Sequence, residues 1–498
     1  MKNPFQDLFI FEMANNHQGS VHHGLRIIRE MGEVARKHGI RAGVKLQYRD
    51  LDTFIHPDYA ARTDVKHIPR FLETRLSEAE FRTLVEATRD EGLTTMVTPF
   101  DERSVQRCID HGVEILKVAS CSALDWPLLE VVAGTGRPVI VSTGGLCLEE
   151  IDQIISFFTH KHSIFALMHC VALYPTPRDA VQMGLLSRMQ KRYPGIAVGY
   201  SGHEAPGDLD VVKGAVSKGA RLLERHVGVP AGEITLNAYS MNPDQADAWV
   251  EAALETAVLC SDRSERRVSG TEIESLQSLK RGVYAVRNVQ SGETLDRDDV
   301  YFAMPCADGQ LSSGDFGRYR TTYTASRDYA ADEPVSERVG HDAISRIRGI
   351  VHEAKGLLFE AQIPVGEDFE IELSHHYGLE EFRRTGAVLI TVVNRTYCKK
   401  LIVVFQGQSH PTHWHNNKEE TFQILWGSLA LNVYGQRMEL GPGQTVLIHP
   451  GERHSFTSET GAIFEEISTT HQRSDTRYED DAINRMDVLE RKTILESW

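Results

Sequence analysis

The sequence predicts a multidomain α/β plus β protein: a (β/α)8 TIM barrel, a small β-rich module and an all-β barrel. Three observations carry that reading. Eight short apolar runs recur from Phe9 to His226 with helical stretches between them. Polar side chains gather where those runs end. Beyond Gly349 the apolar segments are strand-length and lie between Gly- and Pro-containing turns.

In order, the runs are LFIFEMA, AGVKLQ, LTTMVTP, EILKVAS, PVIVSTG, IFALMHC, IAVGYS and RLLERHV. Strand alternating with helix implies a parallel sheet, and eight repeats suit a closed barrel better than an open one. The first crossover presents Leu25, Ile28, Met31 and Ala35 at three- and four-residue steps, one face of a helix. A helix over Pro243–Cys260 completes the barrel, assigned to residues 1–262, and the charged stretch SDRSERRVSGTE reads as a linker. RGVYAVRNVQSGETLDRDDVYFAMP, echoed by TASRDYAADEPVSERV, alternates apolar residues around Gly turns and predicts a small β module over 275–342. AVLITVVNRT, KLIVVFQG, TFQILWGSLALNVYG and QTVLIHPGERHSF place the all-β domain over 349–498.

The 498 residues exceed one hydrophobic core, since domains hold ~100–200 residues and a (β/α)8 barrel ~250. With 41% hydrophobic and 25% charged residues the composition is globular, neither disordered nor fibrous. The formal net charge is −16, from 70 acidic and 54 basic side chains. Such a surface repels nucleic-acid phosphates and anionic membranes, so neither is an expected partner, and an anionic ligand requires a local basic cluster. Seven cysteines are scattered singly, which argues against a disulfide framework or a cysteine zinc site and for a reducing compartment. MKNPFQDLFIFEMANN lacks the apolar core of a signal peptide, and no run approaches the ~18 residues of a membrane span. A cytoplasmic location is the expectation.

In a (β/α)8 barrel the catalytic groups sit where strands end and βα loops begin. Glu12, Lys45, Gln47, Thr98, Lys117, Ser120, Ser142, Thr143, His169, Ser201, His203, Glu224 and His226 all occupy such positions, and are expected to converge on one mouth. His203 and His226 follow the adjacent seventh and eighth strands, so two imidazoles can reach one divalent ion there. The plainer alternative is two unrelated histidines in a chain that has 22. Lys45 and Lys117 lie within apolar strands, where an ammonium needs a partner that a bound anion supplies.

The segments FEMANNHQGS, VKLQ, VTPFDE, ILKVAS, VSTGG, LMHCVALYPTP, GYSGHEAPGD and LLERHVGVP, in that order, resemble the N-acetylneuraminate (sialic acid) synthase family across the whole barrel. The small β module is similar to that family's antifreeze-like (SAF) domain. The resemblance implies a transferase that condenses phosphoenolpyruvate with an open-chain aldose, releasing phosphate and leaving a 2-keto-3-deoxy acid. It implies a Mn2+ or Mg2+ ion on His203 and His226, acting as a Lewis acid on the aldehyde oxygen. Lys45, Gln47, Lys117, Ser120, Ser142, Thr143 and Ser201 would hold phosphoenolpyruvate. Asn16, His17 and Ser122 would meet the sugar. Among the catalytic candidates Glu12 would bind metal-linked water or sugar hydroxyls, Glu224 would act in proton transfer, and Tyr174 would assist. A salt bridge to Arg225 or a neighbouring strand is an equal reading of Glu224, as packing or loop bracing is of Asn16, His17 and Tyr174. In the family the SAF domain covers a partner's active site, which implies a domain-swapped homodimer.

Three positions depart from the family pattern. Ser122 stands where the family carries an acidic residue, Gly202 stands for the Asp before the first metal histidine, and Met304 stands for the arginine of an Arg-Pro-Gly segment. A thioether cannot replace five guanidinium donors, so the expected acceptor is an aldose other than N-acetylmannosamine. The missing Asp removes a possible partner for His203.

In the third region Gly407, His413-x-His415, Glu420 and Gly427 fall at the spacing of the first cupin motif, and Gly443, Gly451 and His454 at that of the second, with His449 in place of the usual proline. Three imidazoles and a carboxylate suit a second divalent metal, Mn, Fe, Ni or Zn, and a cupin that has lost its metal is the lesser alternative. His-x-His followed by Lys-Glu-Glu also resembles sugar-isomerase cupins such as D-lyxose isomerase. Three functions follow: a synthase, a sugar isomerase or epimerase residing in the cupin, or a non-catalytic sugar-binding cupin on an active barrel. His410 and Lys418 read as solvated loop residues more readily than as helpers.

Overall fold

Strand parity organises the N-terminal half. In this computed structural model, which describes residues 3–260, 266, 268–316, 323–336, 343–367, 369–472 and 474–496, the chain divides into two compact units, Met1–Arg266 and Arg267–Trp498. The first is a closed barrel of β1 (Leu8–Glu12), β2 (Arg41–Tyr48), β3 (Thr94–Pro99), β4 (Ile115–Val118), β5 (Val139–Ser142), β6 (Phe165–Cys170), β7 (Ala197–Gly202) and β8 (Leu222–His226), all parallel and paired in chain order. The eight expected runs form these eight strands.

Because side chains alternate across a strand, each strand splits into two sets. Leu8, Ile10, Met96, Ile115, Ile140, Ala166, Met168 and Leu222 pack together inside the barrel. Phe9, Phe11, Val44, Val97, Leu116, Val141, Leu167 and Leu223 pack outward against the helices. Continuing the inward parity towards the strand ends brings Glu12, Lys45, Gln47, Thr98, Lys117, Ser142, Ser201, Glu224 and His226 to one mouth. His169 shares the parity of Leu167 and departs from the expected convergence: its Nε2 pairs with the Val181 carbonyl at 2.8 Å, away from the interior.

The helix Val21–His38 starts at Ser20, whose side chain accepts from the His23 amide, and stops at Gly39 with φ 62°. It buries Ile28, Met31 and Ala35, with Leu25 half-buried beside them. A helix over Pro243–Cys260 follows β8. Half of the expected linker, residues 261–265 and 267, lies outside the described residues, and its last residues open a helix over Gly270–Gln277 capped by Ser269.

The second unit contains two separately cored β regions. In the first, β9 (Gly282–Ala285), β10 (Thr294–Leu295), β11 (Val300–Ala303) and β12 (Tyr323–Thr324) form two antiparallel pairs around Val283, Leu295, Val300, Tyr323 and Val335. A helix over Ala343–Glu360 leads to β13 (Glu370–Ser374), β14 (Ala387–Asn394), β15 (Tyr397–Val404), β16 (Gln408–His415), β17 (Glu420–Gly427), β18 (Leu429–Val433), β19 (Gln436–Leu440), β20 (Thr445–Ile448), β21 (His454–Ser458), β22 (Ala462–Thr469), β23 (Thr476–Tyr478) and β24 (Lys492–Leu495). They make a seven-stranded sheet, β20-β17-β22-β15-β14-β13-β24, and a five-stranded sheet, β19-β18-β21-β16-β23. Phe422, Phe456 and Phe464 fill the core between them. All seven cysteines are unpaired, and no helix among the described residues is long and apolar enough to cross a membrane.

Candidate active site and metal centres

The barrel mouth holds a buried quartet of charges. Parallel register sets Glu12 beside Lys45 on one side and His226 on the other. Glu12 Oε2 lies 2.5 Å from Lys45 Nζ, which also reaches Glu224 Oε1 at 3.2 Å, and Lys117 Nζ lies 3.6 Å from that oxygen. None of the four is more than 4% exposed. The partner of Glu224 is therefore a pair of lysines and not Arg225, whose guanidinium meets Glu204 at 2.5 Å.

The two carboxyls are pushed apart. Burial raises Glu12 above the ordinary carboxylate range, Lys45 opposing and Glu224 adding to the shift. Burial acts on Glu224 in the same direction, but Lys117 and Lys45 outweigh it and draw the group down to about 2. Burial lowers Lys117, while Glu12 and Glu224 overcome burial at Lys45 and raise it.

Hydroxyls and one amide complete the inner ring. Lys117 Nζ donates to Ser142 Oγ at 2.5 Å, Ser201 Oγ to Glu224 Oε1 at 2.9 Å, Lys45 Nζ to Thr98 Oγ1 at 3.3 Å and Gln47 Nε2 to Glu12 Oε1 at 2.9 Å. Ser120 Oγ accepts the Gly144 amide at 2.9 Å, and Thr143 Oγ1 donates to the Met168 carbonyl at 3.0 Å. Ser122 is buried in a 3-10 turn after β4.

The rings of His203 and His226 lie 5.3 Å apart between centroids, tilted by 50°, and burial holds both down to about 3, neutral as metal ligands must be. His203 Nδ1 pairs with the Val171 carbonyl at 3.1 Å, which leaves Nε2 available. The backbone thus supplies the partner that Gly202 was expected to remove. A side chain at 202 has no room: a Cβ there would lie 2.4 Å from Glu204 Oε2. Tyr174, 54% exposed, sits 4.3 Å from the His203 ring. Tyr239, which no sequence signal singles out, sits 5.1 Å from His226 and 5.3 Å from Tyr174.

Asn16 is occupied by bracing, since its amide donates to the Val227 carbonyl at 2.7 Å and to Ser240 Oγ at 3.0 Å. His17 accepts the Gly19 amide on Nδ1 and lines a cavity with Gln47 and Arg49. Arg49 was also missed. Its guanidinium lies between the rings of Phe71 and Phe100, 4.2 and 3.6 Å from their centroids, and donates to Gln47 Oε1 at 3.0 Å.

The cupin supplies the second centre. One ligand atom from each of His413, His415, Glu420 and His454 lies within 4.8 Å of the others, and all four residues are buried. Each imidazole has Nδ1 engaged: His413 with the Pro411 carbonyl at 3.0 Å, His454 with the Glu452 carbonyl at 3.0 Å, and His415 with Thr476 Oγ1 at 3.3 Å. Three Nε2 atoms remain for a common ion, the arrangement that fixes metal-binding histidines. His454 Nε2 and Glu420 Oε1 lie 2.9 Å apart without the geometry of a hydrogen bond, His415 Nε2 lies 3.5 Å from the same oxygen, and neither Glu420 Oε1 nor His454 Nε2 makes a hydrogen bond. A divalent cation satisfies both atoms, so the donor set fits a metal.

Two neighbours correct the sequence reading. Lys418 is 4% exposed and bridges Glu420 Oε2 at 2.5 Å and Glu466 Oε1 at 2.8 Å. His410 is buried and stacks on Phe456 at 4.6 Å. Neither is a solvated loop residue.

Comparison with known proteins follows the same division. Residues 31–264 match the model of the NeuB family and residues 401–467 that of the Cupin domain. The chain is 30% identical over 299 residues to the uncharacterized protein MJ1065 of Methanocaldococcus jannaschii, covering 59% of this chain and 84% of that one. It is 26% identical over 346 residues to the N-acetylneuraminate-9-phosphate synthase of Drosophila melanogaster, covering 62% and 89%. Among solved structures, a Chromobacterium violaceum protein assigned to spore coat polysaccharide biosynthesis (protein E) is 45% identical, with a TM-score of 0.64 and coverage of 66% and 97%.

Proposed function

The chain belongs to the NeuB family through its barrel and carries a cupin domain beyond it, and from that premise we propose which residues perform the family's reaction and on what kind of acceptor. NeuB family synthases are transferases that condense phosphoenolpyruvate with sugars, and this chain is an enzyme of that kind. The observation that carries the assignment of residues is the Lys45–Glu12–Glu224–Lys117 quartet beside the His203–His226 pair.

Lys45 and Lys117 hold the phosphate and carboxylate of phosphoenolpyruvate, with Gln47, Ser120, Ser142, Thr143 and Ser201 around them. An anion entering this buried space exchanges partners with two ammoniums already in place, so the site costs little reorganisation. C3 of phosphoenolpyruvate bonds to the aldehyde carbon, a proton goes to the aldehyde oxygen, water adds at C2 and phosphate leaves. Glu12, the carboxyl that burial raises, suits proton delivery better than Glu224, which its lysines keep ionised. A Mn2+ or Mg2+ ion held by His203 and His226 supplies Lewis acidity at the acceptor's carbonyl oxygen when bound.

The acceptor in this reading is an aldose other than N-acetylmannosamine, because Met304 and Ser122 replace polar groups of the family pattern. The product is a 2-keto-3-deoxy acid. Barrel (1–262), SAF module (275–342) and cupin (349–498) are read as separate domains, with the SAF module exchanged in a homodimer. A cytoplasmic location fits the seven unpaired cysteines. The test is phosphate release from phosphoenolpyruvate and Mn(II) across five- to eight-carbon aldoses and their N-acyl derivatives. Release that depends on one acceptor supports the reading, and none with any acceptor overturns it.

A further inference from the structure

Beside the barrel mouth Arg49 carries a charge with no counter-charge. Its guanidinium is clamped between Phe71 and Phe100, and its one hydrogen bond among the described residues runs from Nη2 to Gln47 Oε1 at 3.0 Å. Nε is buried without a partner, and no described carboxylate pairs with the group within 4.0 Å. Glu12 and Asp101 act on it only from farther away, against a burial that disfavours the charged form. A guanidinium held by its faces keeps its in-plane N–H donors for an anion.

The space beside Arg49 has the size and the place of a substrate site. Asn15, His17, Gln47, Arg49, Thr74 and Phe81 are among the residues around about 520 Å³ of cavity, within the ~300–1,000 Å³ of small-molecule sites. Gln47 joins this cavity to the catalytic candidates, its Nε2 donating to Glu12 Oε1 at 2.9 Å while its Oε1 faces Arg49. Glu12 in turn pairs with His226 in the β1–β8 register. A short carbon chain lying along Gln47 presents one end to Glu12 and the other to Arg49. Neither Lys45 nor Lys117 lines the cavity, so its occupant is not the phosphoenolpyruvate read onto those lysines.

The remaining charges of the lining are matched. Arg75 meets Asp52 and Arg107 meets Asp50, each at 2.6 Å, and Glu78 lies 3.8 Å from Arg82. Burial lowers His17 to about 4 and keeps it neutral. One guanidinium is left over, and it balances one negative charge. That is the charge of a carboxylate, whereas a phosphate ester brings nearly two.

We infer that the acceptor is an alduronic acid, an aldose whose carbon farthest from the aldehyde is a carboxylate, and that Arg49 binds this carboxylate. Naming the occupant as the acceptor rests on the synthase reading above; the unmatched charge does not. The far carboxylate takes no part in the bonds made and broken. A neutral hexose in the same place leaves Arg49 unmatched.

The test compares acceptors that differ only at C6: D-mannuronate, D-mannose and D-mannose 6-phosphate, with the gluco and galacto series beside them. Each is supplied with phosphoenolpyruvate to the full chain loaded with Mn(II). In at least one series the uronate is expected to exceed its matched hexose about tenfold or more in kcat/KM for phosphate release, and Arg49→Met to remove that advantage. Arg49→Lys, which keeps the charge and loses the planar fork, should recover part of it, and Arg49→Gln replaces Arg49→Met if the latter does not fold. Release confined to uncharged acceptors, a preference for the 6-phosphate, or a uronate advantage that survives in Arg49→Met overturns the inference and leaves the synthase reading standing. No release with any acceptor sinks the synthase reading instead. Calorimetric titration of the same chain with the uronates then decides the inference, which requires binding that Arg49→Met weakens about tenfold and is overturned without it.

Discussion

Lys117 Nζ donates to Ser142 Oγ at 2.5 Å while lying 3.6 Å from Glu224 Oε1, so the ammonium is pinned between a hydroxyl and a carboxylate deep in the barrel mouth. Its position is set before any substrate arrives. Lys117→Met removes a charge-assisted contact worth ~1.5–3 kcal/mol, about ten- to a hundredfold in affinity. The KM for phosphoenolpyruvate in steady-state phosphate release is expected to rise by that factor, and an unchanged KM would remove Lys117 from the anion site.

Acid should weaken the barrel. The carboxyl of Glu224 lies at about 2 in the folded chain against an ordinary 4.5. A group depressed by folding stabilises above its unfolded value and loses that contribution as pH falls towards the folded one. Thermal unfolding is expected to lose midpoint between about pH 4.5 and 2, with part of the slope absent in Glu224→Gln. Glu12, raised by burial, acts in the opposite sense, so Glu12→Gln should not flatten the curve.

Glu204 and Arg225 form a pair that is 1% exposed on both sides, with the Tyr200 hydroxyl donating to Glu204 Oε2 at 3.0 Å. Glu204→Ala strands a buried guanidinium, at a cost of roughly 3–5 kcal/mol. Gly202→Ala places a methyl 2.4 Å from that carboxylate, at about 1–3 kcal/mol. Chemical denaturation should rank the two in that order, and a neutral Gly202→Ala would show that Glu204 can move aside.

Metal counting separates the two centres. His413→Ala is expected to lose the cupin metal and keep the barrel metal, and His226→Ala the reverse, by elemental analysis after dialysis. Loss of both metals from either variant would contradict independent sites.

Much of the barrel mouth was legible because parity along a strand is a local property: once Leu8 and Ile10 face inward, Glu12 must. The same rule, applied to Leu167, would have turned His169 outward; its place at a strand end alone was misleading. Asn16 was not assignable because its partners, Val227 and Ser240, lie more than 200 residues away in sequence. The partner of His203 is a backbone carbonyl, which no side-chain pattern records. In the cupin the four side chains whose donor atoms gather within 4.8 Å followed from motif spacing. Lys418 and His410 carry polar side chains in a loop-like stretch, and only the sheets closing over them show that they are buried.

The central claim is a new carbon–carbon bond, and the most direct measurement follows the carbons. The metal-loaded chain is supplied with phosphoenolpyruvate labelled with 13C at all three carbons, together with the acceptor found in the phosphate-release screen. The expected 13C spectrum shows all three labels in one 2-keto-3-deoxy acid, C3 coupled to a carbon of the former aldose when that is labelled too, with one phosphate released per product. Label appearing as free pyruvate, with phosphate released and no bond to the aldose, would contradict the account.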